Sequence, residues 1–151
     1  MSLESKANAI ASFSFAEETE KIIRANEGFL IKLLQDQLSA GFGGDEEPIR
    51  LFGSTEYSKE TIRLKSLFGS PPYGKITDHV TLFMHGEFYN SLKFFYDGKE
   101  FFFVSNVSYA DNILFRSGDK VIELTRYSMS VFQEEILKPQ LLAAWKSRIS
   151  Q

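Results

Sequence analysis

The sequence contains no cysteine, and this absence excludes disulfides, thiolate nucleophiles and zinc sites built from cysteine. Histidine is scarce as well, because only His79 and His85 occur. Their separation does not match the i, i+4 spacing of a helical metal pair, and no third ligand stands at a supporting distance along the chain. We therefore expect neither a metal site nor a cofactor.

Concentrated positive charge and long apolar runs are also lacking. The 17 Lys and Arg residues are scattered, and the formal net charge is −3. Proteins that grip the nucleic-acid backbone usually present a concentrated basic face, so we expect no specific nucleic-acid partner. No run approaches the ~18–20 apolar residues of a membrane-spanning helix, and the first residues lack the features of a signal peptide. We expect a cytoplasmic protein with no membrane partner.

The chain does have enough apolar residues for a core. Its 151 residues are 43% hydrophobic and 15% aromatic, and Phe carries most of the aromatic share. This length and composition predict one soluble globular domain over residues 1–151. Within it, residues 1–13 are a candidate flexible arm or frayed helix start, and loops are expected at 41–48 and 69–80.

Helical periodicity is strongest in the first third of the chain. Ser14 and Glu17 have the spacing of a capping box, and a single helix of roughly 25 residues is predicted from there. Gly41 suits the left-handed residue that ends such a helix. A shorter helix is expected over residues 54–69, with Ser54 or Thr55 as its cap.

The last helix is expected to run from residues 125–130 to about 149. Pro139 lies inside this span, so the sequence predicts a kink or a break near it. Short strands are expected at 49–52 and near 121–124.

Two further segments carry apolar residues whose spacing suggests which side chains are buried. Residues 75–85 are predicted to form an extended loop, and residues 106–115 return to helical spacing. The side chains expected to be buried in these segments are Val80, Leu82, Met84, Tyr109, Ile113 and Phe115.

Residues 86–110 are rich in Phe and Tyr and form the stretch around which the chain is organised. Residues 86–93 suit one or two helical turns. Asp97-Gly98 then stands between two aromatic runs, which is a strong hairpin signal because the tight turn needs positive φ at its central residues. A two-residue turn there would pair Tyr96 with Lys99 and Phe94 with Phe101.

Both faces of this predicted hairpin are apolar. One face carries Phe94, Tyr96, Phe101 and Phe103, and the other carries Phe95, Phe102 and Val104 together with the charged Lys93 and Glu100. A half-exposed ribbon normally alternates apolar and polar residues, so both faces are expected to need covering.

Two explanations of this pattern stay open. The ribbon is either enclosed by helices of its own subunit, or one face or edge is covered by a neighbouring chain. The pattern does not decide which face is the inner one. The candidate subunit-interface residues are Phe94, Phe95, Phe101, Phe102 and Val104.

No catalytic constellation is recognisable. Asp78 stands beside His79, but adjacent side chains on an extended segment point to opposite faces, so we expect them not to pair. The adjacent carboxylates at 17–18, 46–47 and 134–135 are typical of solvated surface. We predict no catalytic, cofactor-binding or metal-binding residue, no enzymatic activity and no small-molecule substrate.

The predicted fold class is α+β. A long N-terminal helix and a C-terminal helix would pack on a small antiparallel sheet that contains the central aromatic hairpin. Several short motifs then follow one another in a fixed order: GEFYNSL at 86–92, the hairpin turn at Asp97-Gly98, SYA at 108–110, and the helix at 125–149.

This order and spacing resemble the small tail-completion, or head–tail connector, proteins of tailed bacteriophages, most closely versions from phages of Bacteroidetes. The resemblance covers about half of the chain closely, and the N-terminal helix fits it too. It implies a virion structural protein that forms a ring at the head–tail junction or neck. Its partners would be copies of itself and neighbouring connector or tail proteins, and it would move from the cytoplasm into the virion during assembly.

A second interpretation comes from a different functional class. Small bacterial binding modules, such as toxin-neutralising immunity proteins, are also acidic, free of cysteine and without catalytic motifs. The neighbouring genes would separate the two, since portal, capsid and tape-measure genes would accompany the first and a secreted toxin the second.

Overall fold

The computed structural model describes residues 2–150, and its architecture is α+β as predicted, with one two-stranded antiparallel sheet and a C-terminal helix. No helix among these residues is long and apolar enough to cross a membrane. The elements, in chain order, are α1 (Leu3–Ser12), α2 (Phe15–Ala25), α3 (Glu27–Ser39), α4 (Lys59–Phe68), α5 (Glu87–Asn90), β1 (Leu92–Tyr96), β2 (Phe101–Ser105), α6 (Ala110–Ser117), a 3₁₀ helix (Asp119–Ile122), α7 (Arg126–Phe132), a π-helical segment (Gln133–Leu137) and α8 (Lys138–Ser150).

The described chain separates into two compact units. We call residues 2–27 and 129–150 the terminal unit and Gly28–Ser128 the central unit. The terminal unit contains α1, α2 and α8, whereas the hairpin and helices α4 to α6 belong to the central unit. The expectation that the two units behave as one domain stays a prediction.

The N-terminal region is more segmented than its periodicity predicts. The candidate arm is helical in α1, and the Ser14 side chain caps α2 by accepting a hydrogen bond from the Glu17 amide at 3.3 Å, as expected. The single long helix is wrong, because α2 and α3 are separated at Asn26. The Asn26 amide group donates to the carbonyl of Ile22 at 2.7 Å, and such local bonds compete with the helical ladder.

Gly41 ends α3 in the predicted way. Its φ is +90°, and its amide donates to the Leu38 carbonyl while the amide of Phe42 donates to the Gln37 carbonyl. This pair of bonds is the Schellman arrangement, which satisfies two carbonyls that the helix end leaves free.

The terminal unit is held together along α8. This helix contacts both α1 and α2, and the Trp145 ring lies 5.1 Å from Phe13 and 5.8 Å from Phe15, centroid to centroid. Of the kink or break predicted near Lys138, the break does not occur, because Pro139 lies inside α8. A π-helical segment immediately precedes α8. The missing N–H and bulky ring of Pro139 would disturb the hydrogen bonds of a regular α-helix at this point.

Several local predictions for the central unit are wrong because tertiary hydrogen bonds decide the backbone. Residues 49–52 form no strand, and Leu51 makes only an isolated bridge with Ser54. The expected strand near 121–124 is partly a 3₁₀ helix, and the buried Gln37 side chain donates to the Glu123 carbonyl and accepts from the Thr125 amide, each at 2.8 Å. Those groups are therefore unavailable to a sheet.

Helix α4 begins later than predicted. Its cap is Ser58 rather than Ser54 or Thr55, and the Ser58 hydroxyl accepts from the Thr61 amide at 3.2 Å. The cap residue sets the start of the helix, since it satisfies one of the orphan amides of the first turn.

In residues 75–85 and 106–115, the buried side chains also differ from those expected. Val80 is buried as predicted, but Thr81 and Phe83 are buried where Leu82 and Met84 were expected. Leu82 has a φ of +57°, which breaks the extended alternation on which the prediction depended. In the later segment, Ile113 is half-buried, whereas Tyr109 and Phe115 are exposed.

Buried backbone at 80–83 is satisfied by side chains rather than by a neighbouring strand. The Tyr57 hydroxyl accepts from the amides of Thr81 and Leu82 at 2.9 and 3.2 Å, and the Tyr89 hydroxyl donates to the Thr81 carbonyl at 2.5 Å. Lys65 donates to the Phe83 carbonyl. Burial raises the pKa of Tyr89, so its hydroxyl keeps the proton that it donates.

We predict that Gly41→Ala destabilises the protein more than Gly53→Ala. Both glycines have positive φ, but a Cβ at Gly41 would lie 2.6 Å from Cδ2 of His79, whereas nothing lies within 4 Å of one at Gly53. The backbone penalty of about 1–2 kcal/mol is common to both. Overpacking adds about 1–3 kcal/mol at Gly41 alone. Urea unfolding of the two variants measures the difference, and equal losses would contradict the role of the His79 contact.

Candidate interaction surface

The hairpin pairs with a register different from the predicted one. Phe94 pairs with Phe103, Phe95 with Phe102, and Tyr96 with Phe101, so the connection is a four-residue loop rather than a two-residue turn. The register is shifted by two residues relative to the prediction. Because side chains alternate with a period of two, an even shift leaves each residue on its predicted face.

One face of the hairpin, which we call the inner face, belongs to the core. Phe94 and Phe103 are 8% and 4% exposed, and their ring centroids lie 5.8 Å apart. Phe101 packs edge-on against Phe103 at 6.1 Å, and Leu92 extends the buried face at the start of β1. The structure thus answers the question that the sequence leaves open, because the face with Phe94 is the inner one.

The opposite face, which we call the outer face, is uncovered. Phe95 and Phe102 are 49% and 51% exposed, and their rings stack at 5.6 Å with an interplanar angle of 15°. Val104 is half-buried and pairs with the exposed Lys93 on the same face. Within the described residues of the central unit, no helix encloses this side of the ribbon.

The loop at the tip of the hairpin is organised by one carboxylate. The Asp97 Oδ1 atom accepts hydrogen bonds from the amides of Lys99 and Glu100 at 2.9 and 2.8 Å, and Gly98 has a φ of +93°. These amides, that of Glu100 first, hold the pKa of Asp97 below its ordinary value. The chain thus reverses at the predicted place, but the two-residue turn is wrong: the loop spans residues 97–100, and φ is positive at Gly98 and not at Asp97.

Helix α4 presents a second apolar surface. Leu64, Leu67 and Phe68 are 41%, 58% and 63% exposed, and we call them the α4 face. The buried side of α4 instead contains Lys65, which is 2% exposed.

Sequence reasoning did not single out Lys65, since lysine is rarely buried. Its partners are the Phe83 carbonyl and the Tyr57 ring, whose centroid lies 5.0 Å from the Lys65 Nζ atom. Burial lowers the pKa of Lys65.

The two histidines are held by hydrogen bonds to neighbouring segments. His79 lies 2.9 Å from the Asp78 carboxylate through Nδ1 and 2.8 Å from the Ser39 carbonyl through Nε2, so the expectation that Asp78 and His79 do not pair is wrong. The bend at this segment brings adjacent side chains together. His85 Nδ1 lies 2.9 Å from the Ser70 hydroxyl. Within residues 2–150, no three His, Asp or Glu side chains gather as a metal site would require.

Comparison with known protein families, curated proteins and solved structures finds no match for this chain. The function is therefore inferred from the residues and surfaces of the chain itself.

We predict that the Asp97 carboxyl titrates below the ordinary aspartate pKa of about 3.9. Because the folded-state pKa is depressed, the stabilisation is fully present above the unfolded pKa and is lost as pH falls through the folded one. NMR titration should show the amide shifts of Lys99 and Glu100 following this transition, and Asp97→Asn should remove it. A midpoint at or above the unfolded value would contradict the capping role.

Proposed function

We propose that this chain is a non-enzymatic structural subunit of a tailed bacteriophage, a tail-completion or head–tail connector protein that acts by self-association and partner binding. The observation that carries the proposal is the stacked, half-exposed Phe95–Phe102 pair on the outer face of the hairpin. The ordered motifs over residues 86–149 support the phage assignment through their resemblance to that family. The protein would be cytoplasmic during assembly and part of the neck or tail afterwards.

Simple magnitudes indicate how strong one such contact is. A Phe side chain carries roughly 200 Å² of surface, so covering the exposed half of each ring is worth about 2.5 kcal/mol at ~25 cal/mol per Å². Association itself costs about 4–15 kcal/mol in lost translational and rotational freedom. The outer face alone therefore supports only weak pairing, and a stable assembly needs further contacts between copies or with a partner protein.

A ring of more than two subunits also needs two different surfaces on each subunit. In a head-to-tail contact, a patch on one copy meets a different patch on the next, and the ring closes when the rotation allows it. The α4 face is the second apolar surface of the central unit and matches the outer face in character. We therefore assign the outer face and the α4 face as the two halves of the ring contact.

We expect Phe95→Ser combined with Phe102→Ser to impair assembly while leaving folding nearly unchanged. Both side chains are half-exposed, so their removal costs little in the isolated subunit. Sedimentation velocity over increasing protein concentration measures assembly, and urea unfolding measures stability.

The matched control replaces the inner-face pair, Phe94→Ala and Phe103→Ala. Each should cost about 3–5 kcal/mol of folding stability, because each ring is buried in the core. If the outer-face variant unfolds as readily as the inner-face variants, or associates as well as the unmodified chain, the outer face is not a subunit contact.

A mixing experiment tests the two-surface arrangement. One variant carries the outer-face changes and another carries Leu67→Ser with Phe68→Ser on the α4 face. Each variant keeps one intact surface, so a mixture should form a one-to-one complex and no larger ring, while neither associates alone. A mixture that stays monomeric, at concentrations where the unmodified protein assembles, would show that these two surfaces do not meet.

A further inference from the structure

The central unit contains an open cavity of about 410 Å³, and of the residues assigned to the ring contact it shares Leu64 with the α4 face. Its wall is formed mainly by α4, by residues 82–88, and by α6 with its cap residue Tyr109. Most of the lining is apolar and includes Leu64, Phe83, Phe88 and Ile113. A volume of this size and character is typical of sites for small ligands.

A buried cation stands in this apolar wall. Lys65 lines the cavity although it is only 2% exposed, and its Nζ atom donates one hydrogen bond to the Phe83 carbonyl. Among residues 2–150, no carboxylate lies within ion-pair distance of Lys65. A buried ammonium normally has an acidic partner, because burying a charge without one is costly.

The other side chains at the cavity favour an anion as well. Arg116 is a second cation in the lining, and within residues 2–150 Glu87 is the only acidic residue there. The Glu87 carboxylate accepts a hydrogen bond from the Tyr109 hydroxyl at 3.2 Å. The cavity thus combines an apolar wall with an excess of basic groups, and an ammonium group has three N–H donors, of which the Phe83 carbonyl uses one.

We propose that this cavity binds a small amphipathic carboxylate, whose apolar body packs against Leu64, Phe83 and Ile113 and whose carboxylate pairs with the Lys65 ammonium. The molecule is a ligand and not a substrate, since no bond is made or broken. The proposal does not require self-association, because Lys65, Phe83 and Ile113 lie outside both the outer face and the α4 face, and Leu64 alone is shared with the α4 face.

Decanoate and decanol are the probes that separate charge recognition from apolar burial. The unmodified protein is titrated with each, below the micellar range, and binding is followed by amide shifts in ¹H–¹⁵N NMR spectra. We expect decanoate to bind about tenfold or more tightly than decanol, the factor that a charge-assisted hydrogen bond supplies. The shifts should map to α4, residues 82–88 and α6.

Three variants complete the test. Lys65→Met should lower decanoate affinity to that of decanol, and Ile113→Trp, which fills the cavity and leaves Lys65 in place, should abolish binding of both probes. Lys59→Met makes the same replacement at an exposed α4 residue outside the cavity lining and should bind decanoate as the unmodified protein does. If Lys65→Met does not fold, the Ile113→Trp result decides.

The proposal is overturned if decanoate and decanol bind the unmodified protein equally, if neither binds, or if the shifts map to Phe95 and Phe102 instead. Decanoate binding that survives in a folded Ile113→Trp variant would overturn it too.

Discussion

A two-stranded sheet with large aromatic side chains on both faces is the constraint on which the rest of the central unit depends. Such a ribbon is marginal by itself and needs apolar packing on at least one side. The core supplies that packing for Phe94 and Phe103, which are nearly inaccessible, and leaves Phe95 and Phe102 half-exposed. Burial of the inner face therefore stabilises the fold, and the outer face remains available for contact with a second chain.

The buried segment at residues 80–83 explains why the inner side of α4 is polar. This backbone lies in the interior without a partner strand, so its amides and carbonyls need side-chain partners. Tyr57, Tyr89 and Lys65 supply them. Because Lys65 is turned inward for this purpose, the leucines of α4 face outward, and the same geometry produces both the basic cavity wall and the exposed α4 face.

Local rules predicted the parts of the fold that local chemistry controls. The cap at Ser14 and the left-handed Gly41 are observed, and the hairpin reverses at the predicted place although its loop has four residues and not two. The α+β class follows from the same periodicities. The faces of the hairpin were also predictable, since a register error of two residues leaves them unchanged. Some failures depended on distant partners, since Gln37 holds the segment near 123–125. Others were local, since Asn26 divides the predicted long helix and Ser58 sets the start of α4. Nothing in the sequence of α4 signals that Lys65 is buried.

In the proposed assembly, the outer face of the hairpin is covered by the α4 face of another copy. A photoreactive phenylalanine analogue at position 102 tests it most directly, because the label reports which residues contact the ring in the assembled protein. The account predicts cross-links between chains that map to residues 59–68 of a second copy, and their loss when Leu67 and Phe68 are replaced by serine. Cross-links only within a chain, or between chains at other segments, would contradict it.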